Sequence, residues 1–489
     1  MNAATWVVIA AIALRLILAG FTGLGIDESY MVAASNHFAA SYFDHPLASW
    51  WLELAMRALT GTAAPIMVRL PFVVLSGVSS WLLYLITKRL YGEKAGFWAV
   101  VAYSISPVFS LAFGCWVLPD GPLNTALLAF LYAIIRALGL PEAKPAPRWW
   151  LAVGLFGGLA LLSKYNAGLV LLGAALGVLA DPVGRRELRR PGPWLAVLLA
   201  CVLFTPVLAW NAAHHWVSFA YQGDRAAGLH LRPLMPLSIW GGEALYLLPW
   251  IFAPMVWLLA GALAGGPAER RGWLLGTSAI IPVVLFSVVG LWSSTRILYH
   301  WAMPGYLMLF PLLGDWATRI APRPRNLVAA ASATLLALAA LFMAVTVSSG
   351  LAGRFARLSP PGKSPVLQAV DWTGLARQIP PHVQAIATLR WFDAGKIGYG
   401  LLRDGDHIPV TVFGGNAHEF GITAPPVAFI GKTVLLTAMP GDISKIRAKY
   451  TPYFKSLRPG PALTVSTGNK LLLVIPTLIG TDLQAPPRP

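Results

Sequence analysis

Apolar runs long enough to cross a bilayer recur from residue 5 to about residue 347, and they leave few folds open to this chain. With no water to satisfy backbone groups in hydrocarbon, such runs become helices packed on one another. Of the 489 residues, 57% are hydrophobic and 12% charged, about half the charged share of an ordinary soluble domain. The chain is therefore expected to be a polytopic α-helical membrane protein. About eleven transmembrane helices are expected: 5–24, 64–88, 95–114, 121–139, two short helices within 149–180, 194–212, 236–262, 273–291, 301–317 and 327–347. The 149–180 run is too long for one crossing at about 1.5 Å per residue, and Ser163-Lys164-Tyr165-Asn166 divides it. The first run lacks a basic leader and a small-residue cleavage site, so it is expected to be retained as a span.

The net charge of +17 would point to nucleic acid in a soluble protein. Here it has a plainer cause, orientation in the membrane, and no nucleic-acid partner is expected. One set of alternate loops carries Lys88, Arg89 and Lys94, then Lys144 and Arg148, then Arg185, Arg186, Arg189 and Arg190, then Arg270 and Arg271, then Arg319, Arg323 and Arg325. The positive-inside rule puts that set, and the N-terminus, in the cytoplasm. The 25–63 loop, the Pro119-Asp120 turn, Lys164, residues 211–235, residues 292–300 and the tail then fall on the periplasmic side. The domains expected are a membrane domain, 1–349, and a soluble periplasmic α/β domain, 350–489, joined by a Pro- and Gly-rich linker at 350–365.

Within the 25–63 loop, residues 28–42 and 48–59 read as short helices, the second suited to the membrane surface by its aromatic residues. In the tail, residues 371–378 and 443–450 read as helices. Residues 383–388, 408–413, 433–437, 463–466 and 471–475 read as strands.

Several polar residues gather on the outer side. Asp27 is either a helix cap or a general base whose pKa partial desolvation could raise. Its neighbour Glu28 shares the alternative. Asp44-His45-Pro46 is ordinary turn chemistry or a pocket wall. Asp120 is an N-cap or a second carboxylate of the same cavity. Lys164, with Tyr165 beside it, either snorkels or binds a phosphate. Arg225 and Arg296 offer the same phosphate-binding possibility, and His300 follows Arg296 in the same turn. Glu243 lies inside a span, where a bare charge is costly, so it pairs or lines the cavity. Arg15 and Arg69 could be interfacial anchors. No zinc-protease motif, phosphate loop or nucleophile elbow is present. Cys115 and Cys201 have no metal-site spacing, and a disulfide between them is not expected.

Asp27-Glu28 after the first span, Phe43-Asp44-His45-Pro46, Pro119-Asp120 and Lys164-Tyr165 together resemble the polyprenyl-phosphate-dependent glycosyltransferases of the GT-C fold. The bacterial lipid A aminoarabinose transferases and galacturonosyltransferases are the nearer group, and protein O-mannosyltransferases are more distant. Ala209-Trp210-Asn211 with His215-Trp216, His300-Trp301 with Pro304-Gly305-Tyr306, and Trp391-Phe392-Asp393-Ala394-Gly395-Lys396 also resemble that group. His45-Pro46-Leu47 departs from it where relatives often carry a second proline.

The resemblance implies a multi-pass enzyme of the bacterial inner membrane, a polyprenyl-phosphate sugar donor and an envelope lipid or glycan acceptor. It makes Asp27 the catalytic base, Asp120 the second acidic position and Lys164 the phosphate ligand. Direct displacement would invert the anomeric carbon. No cofactor is required by this scheme, although a carboxylate cluster could hold a divalent metal. A transporter or flippase of lipid-linked sugar and a protein O-glycosyltransferase are the alternatives. Repeats and mid-membrane polar breaks, expected of a transporter, are not evident.

Overall fold

The computed structural model describes residues 2–228, 230–356, 364–437, 443–467 and 470–487. Residues 357–363 of the expected linker lie outside these. The chain divides into two compact units that interleave along the sequence. One comprises Met1–Leu16, Ala39–Ser49 and Phe72–Leu338, the other Ile17–Phe38, Trp50–Pro71 and Ala339–Pro489.

Among the described residues, five helices are long and apolar enough to cross a membrane: Ala3–Phe21, Pro65–Tyr91, Pro191–Ala213, Arg270–Gly290 and Pro322–Ser348. Two sharply bent pairs bring the number to seven if each is one span. These are Glu93–Ile105 with Val108–Cys115, bent by 83°, and Met235–Leu247 with Pro249–Ala264, bent by 116°. Proline sets both breaks, because it lacks an N–H and restricts the residue before it. Ser106 before Pro107 is extended, and Leu248 before Pro249 takes a left-handed φ of 82°. The expected eleven spans are thus not all single long helices. The 149–180 run forms two short helices as expected, Trp149–Ser163 and Ala167–Ala180, and Lys164 at the break is extended. The 301–317 run is broken into Tyr299–Ala302, Met303–Leu307 and Phe310–Arg319, with Pro304 and Pro311 each restarting a helix.

In the first unit the helices pack on one continuous apolar core. Arg15 is fully buried there, so it is not an interfacial anchor. Its Nε donates to the Ser110 carbonyl at 2.9 Å and its Nη1 to Ser76 Oγ at 3.0 Å. Ser110 lies in the π-helical turn Val108–Ala112, where backbone carbonyls lose their regular partners. A buried guanidinium is tolerable because it meets that need.

The second unit contains a five-stranded sheet. Its strands are β1 (Ala385–Thr388), β2 (Val410–Val412), β3 (Val434–Thr437), β4 (Phe454–Pro459) and β7 (Thr477–Leu483). The order is β2-β1-β3-β7-β4, and β5 (Leu463–Thr467) pairs with β6 (Lys470–Ile475) as a separate hairpin. β1 is parallel to both neighbours, while β7 is antiparallel to β3 and β4. The helix Trp391–Asp404 crosses from β1 to β2, as parallel pairing requires. Two strands escaped the sequence reading. β4 carries Lys455, Arg458 and Pro459, the composition of an edge strand, and β7 carries Gly480, a poor strand former, within its paired run.

Two expected helices are shorter. The one expected over 28–42 is Ile26–Ala34. It stops because Arg57 Nη2 donates to the Ser35 carbonyl at 2.6 Å, while the Ser35 hydroxyl bonds Glu53. Residues 371–378 keep only the turn Ala376–Gln378. Asp371 there accepts from the Leu24 amide and from Arg403, and Gly374 has a φ of 80°.

The helix Trp391–Asp404 packs tightly on Ile26–Ala34. A Cβ at Gly395 would sit 2.7 Å from Tyr30 Cα, so no larger residue fits that crossing. Lys396 is buried, and its Nζ donates to the carbonyls of Leu24, Gln368 and Val370 at 2.7, 3.0 and 2.7 Å. Burial pushes its pKa down to about 8. Tyr399 adds a hydroxyl bond to the Ala63 carbonyl at 2.9 Å.

Gly395→Ala is expected to cost about 1–3 kcal/mol by overpacking. Gly261→Ala, where nothing lies within 4 Å, is expected to be neutral or mildly stabilising. Melting in detergent checks both.

Glu53 supplies a pH test. Burial raises its pKa from 4.5 to about 7 against the pull of Arg57. A raised carboxyl pKa means the folded state binds more protons. That stability is complete below pH 4.5 and disappears as pH rises through 7. Glu53→Gln should remove this slope, which is worth about 3 kcal/mol at most. Melting profiles across that range would show a flat line for the variant against a falling one for the parent.

Candidate functional site

The first unit holds a cavity of about 200 Å³ lined by His45, Lys164, Tyr165, Asn166, Gln222, Arg225 and Trp301, with an apolar wall of Leu285, Phe286, Val289 and Ile297. Helix geometry explains the placement of Lys164. The helix Trp149–Ser163 ends as Lys164 turns extended, and Ala167–Ala180 starts three residues on. Lys164 Nζ meets both Asp120 oxygens, at 2.9 and 2.8 Å, and both residues are buried. Asp120 opens the helix Asp120–Ala137, so its carboxylate also lies at the positive end of a helix dipole.

Arg225 is held differently. Its guanidinium stacks over the rings of Tyr221 and Trp301, at 4.5 and 4.7 Å. It donates to Gln222 Oε1 at 3.1 Å and to the Tyr221 hydroxyl at 3.0 Å. Among the described residues no carboxylate forms an ion pair with it. It is a preorganised cation with donors to spare.

The helix Val217–Asp224 that presents Arg225 is set by a strained turn. His215 and Trp216 have φ of 54° and 58°, left-handed values that side chains with a Cβ rarely take. Asn211 supports the turn. Its carbonyl accepts from the Trp216 amide at 2.7 Å, and its Oδ1 from the Ser218 amide at 3.3 Å. This gives the Trp210-Asn211 and His215-Trp216 motif a positioning task. The same helix grips the 39–49 loop. Ser218 Oγ donates to the Tyr42 carbonyl at 3.1 Å, and Gln222 Nε2 to the Asp44 carbonyl at 2.8 Å. Phe43 packs on Tyr221 with ring centroids 5.0 Å apart.

His300 stands in the short helical turn Tyr299–Ala302, and part of its surface remains accessible. Burial of the ring, and then the charges of Lys164, His45 and Arg225, hold its pKa well below 6.5. It is a neutral imidazole beside cations. Asn166 donates to the Trp301 carbonyl at 3.2 Å, while its buried Oδ1 has no partner among the described residues.

In the second unit Asp27 and Glu28 part company. Glu28 is buried, and Arg69 engages it through two N–H groups, at 2.7 and 2.5 Å. Its Oε2 also accepts from the Gly25 amide at 2.8 Å, capping the helix. Arg69 continues to the carbonyls of Thr22 and Gly23, at 2.9 and 2.8 Å. It is a buried stitch, not an interfacial anchor. Asp27, one residue earlier, is exposed on the first turn of the helix.

Lys164, Tyr165, Arg225 and His45 thus line one cavity, with Asp120 behind Lys164 as its ion-pair partner and His300 and Asp44 close by. Arg296 is exposed and does not line the cavity. Glu243 is buried and pairs instead with the Tyr306 hydroxyl at 2.8 Å. Sequence reasoning passed over Asn166 and Gln222. Gln222 carried one usable signal, its place three residues before Arg225 on a helix.

The chain is similar to known proteins in sequence and in fold. The family model of dolichyl-phosphate-mannose-protein mannosyltransferases matches residues 44–210. Lipid A galacturonosyltransferase RgtD of Rhizobium johnstonii is 26% identical over 301 residues, which is 60% of this chain and 61% of that protein. Lipopolysaccharide core galacturonosyltransferase RgtA of the same organism is 26% identical over 204 residues, 41% of this chain and 39% of that one. The chain therefore spans less than two thirds of the length of these curated relatives. Among solved structures, ArnT from Cupriavidus metallidurans bound to undecaprenyl phosphate has a TM-score of 0.64 at 16% identity. That match covers 97% of this chain and 98% of that one. The apo form of the same protein gives 0.63. At this identity the likeness is one of fold.

The buried Lys164–Asp120 pair makes a specific demand. Lys164→Met leaves the carboxylate uncompensated and should cost about 3–5 kcal/mol. Lys164→Met with Asp120→Leu should recover much of that loss. A double-mutant cycle on melting in detergent measures the coupling.

Proposed function

We propose that this chain, a relative of the GT-C glycosyltransferases in fold and in its family match, transfers a sugar from a polyprenyl-phosphate donor to an envelope acceptor at the outer face of the inner membrane. The observation that carries the proposal is Arg225, without an ion-pair partner among the described residues, at a cavity with one apolar wall. A guanidinium suits a phosphate, and the Leu285–Val289 side suits a hydrocarbon tail. The fold match with a protein that binds undecaprenyl phosphate, and the names of the two galacturonosyltransferases, support the same reading.

In this scheme the acceptor hydroxyl oxygen attacks the anomeric carbon. The bond from that carbon to the phosphate oxygen breaks, and the polyprenyl phosphate departs with the electron pair. Asp27 takes the hydroxyl proton, because it is the exposed member of its pair and Glu28 is committed to Arg69. Arg225 and Lys164 stabilise the departing phosphate. Asp120 fixes Lys164 and balances part of its charge, leaving Arg225 as the stronger recruiter of an anion. Neutral His300 adds a hydrogen-bonding group without further charge. Attack opposite the leaving group inverts the anomeric carbon.

The test uses the purified chain in detergent, with lipid A as acceptor and polyprenyl-phosphate galacturonic acid as the first donor. Covalent transfer without sealed compartments would exclude pure transport. Asp27→Asn should lower kcat by about 10²–10⁴ while donor binding persists. Arg225→Ala should instead weaken donor binding about tenfold or more. Full activity in Asp27→Asn would remove Asp27 as the base, and unchanged donor affinity in Arg225→Ala would remove Arg225 from the phosphate site.

A further inference from the structure

The helix that ends at Lys164 begins in a second cavity, of about 380 Å³. Fifteen residues separate the two ends, about 22 Å of helix. This cavity lies where Trp149–Ser163 and Pro191–Ala213 start. A Cβ at Gly154 would come within 2.5 Å of the Ala196 carbonyl, so the two backbones touch there. A Cβ at Gly192 would fall 2.6 Å from the Trp150 ring. The frame is therefore rigid, and its lining, with Trp150, Leu151 and Leu195, is largely apolar.

The charged lining is two arginines, Arg148 and Arg190, and one carboxylate. Glu187 is the one carboxylate in the wall, and it is buried and occupied. Arg190 Nη1 donates to it at 2.9 Å and Trp150 Nε1 at 3.4 Å. A guanidinium has five N–H donors, so Arg190 keeps most of its own, and 58% of its side chain is exposed. The Arg148 side chain has no hydrogen bond or ion pair among the described residues. Arg186 and Arg189 add positive charge nearby in the chain. Outside the cavity, Trp194 and Leu198 continue an exposed apolar surface along the helix.

We infer that this cavity binds an anionic glycerophospholipid of the surrounding bilayer. Its phosphodiester would sit on Arg148 and Arg190, and an acyl chain would follow Leu151 and Leu195. The charge argues for an anionic head, since the amine of a zwitterionic lipid would add a cation to an arginine cluster. The apolar lining argues for a lipid over free phosphate, which would lose hydration there without recompense.

Native mass spectrometry and melting of the full chain in detergent test this. The probes are phosphatidylglycerol, cardiolipin, phosphatidylcholine and inorganic phosphate. Phosphatidylglycerol or cardiolipin should stay bound and raise the melting temperature, and the other two should not. Arg148→Gln should weaken binding about tenfold, and Leu195→Trp should block it by filling the cavity. Melting of each variant in lipid-free detergent verifies folding, and if Leu195→Trp fails to fold, Arg148→Gln decides alone. Arg225→Ala should keep the effect, because that residue belongs to the other cavity. The inference is overturned by an equal response to phosphatidylcholine, by a response that phosphate reproduces, by unchanged binding in Arg148→Gln, or by its loss in Arg225→Ala.

Discussion

The Arg69–Glu28 fork is the contact on which the second unit's membrane-derived segments depend. Each charge would be very costly alone in that buried setting, and together they satisfy nearly every donor and acceptor within reach. The fork fixes how the chain leaves the helix Ala3–Phe21, and so fixes the start of Ile26–Ala34. Lys396 completes the arrangement from the other side by binding the Leu24 carbonyl. The exposed Asp27 inherits its place from this framework. The base role proposed for Asp27 needs a held backbone and an accessible carboxylate, and in the adjacent Asp-Glu pair Glu28 holds the backbone while Asp27 stays exposed.

The first unit solves the same physical problem with Lys164 and Asp120. A lysine between two short apolar helices must be compensated, and the carboxylate at the start of Asp120–Ala137 does so. Arg225 follows another rule. Two aromatic faces hold it in place of a carboxylate, so its charge remains for a ligand. The strained His215–Trp216 turn serves that placement, and Asn211 makes the strain tolerable through its bonds to Trp216 and Ser218.

Much of this was legible in the sequence where local rules decide. Hydropathy located the helices, and the Ser163–Asn166 interruption correctly divided a long run. Hydropathy alone reads 301–317 as one span, whereas Pro304 and Pro311 each sit at the start of a separate helix. The tail strands were visible where they are apolar and buried, as in β1 and β3. They were invisible in β4, where charge marks an edge, and in β7, where Gly480 breaks the pattern. The extended helix expected over 28–42 failed because Ser35 bonds to Glu53 and Arg57, an interaction no local propensity encodes.

The sequence by itself determined a helical membrane protein with an α/β tail, the break at Lys164 and the cluster of polar candidates. These follow from periodicity and backbone chemistry, which act over a few residues. Only the tertiary structure decided which charge meets which. Glu28 found Arg69 across 41 residues, Lys164 found Asp120 across 44, and Lys396 found Leu24 across 372. Adjacent carboxylates were indistinguishable by residue type, and burial alone separated the ion-paired Glu28 from the exposed Asp27. The reason is that desolvation belongs to a place in three dimensions, and a buried charge takes its partner from whatever the fold brings beside it.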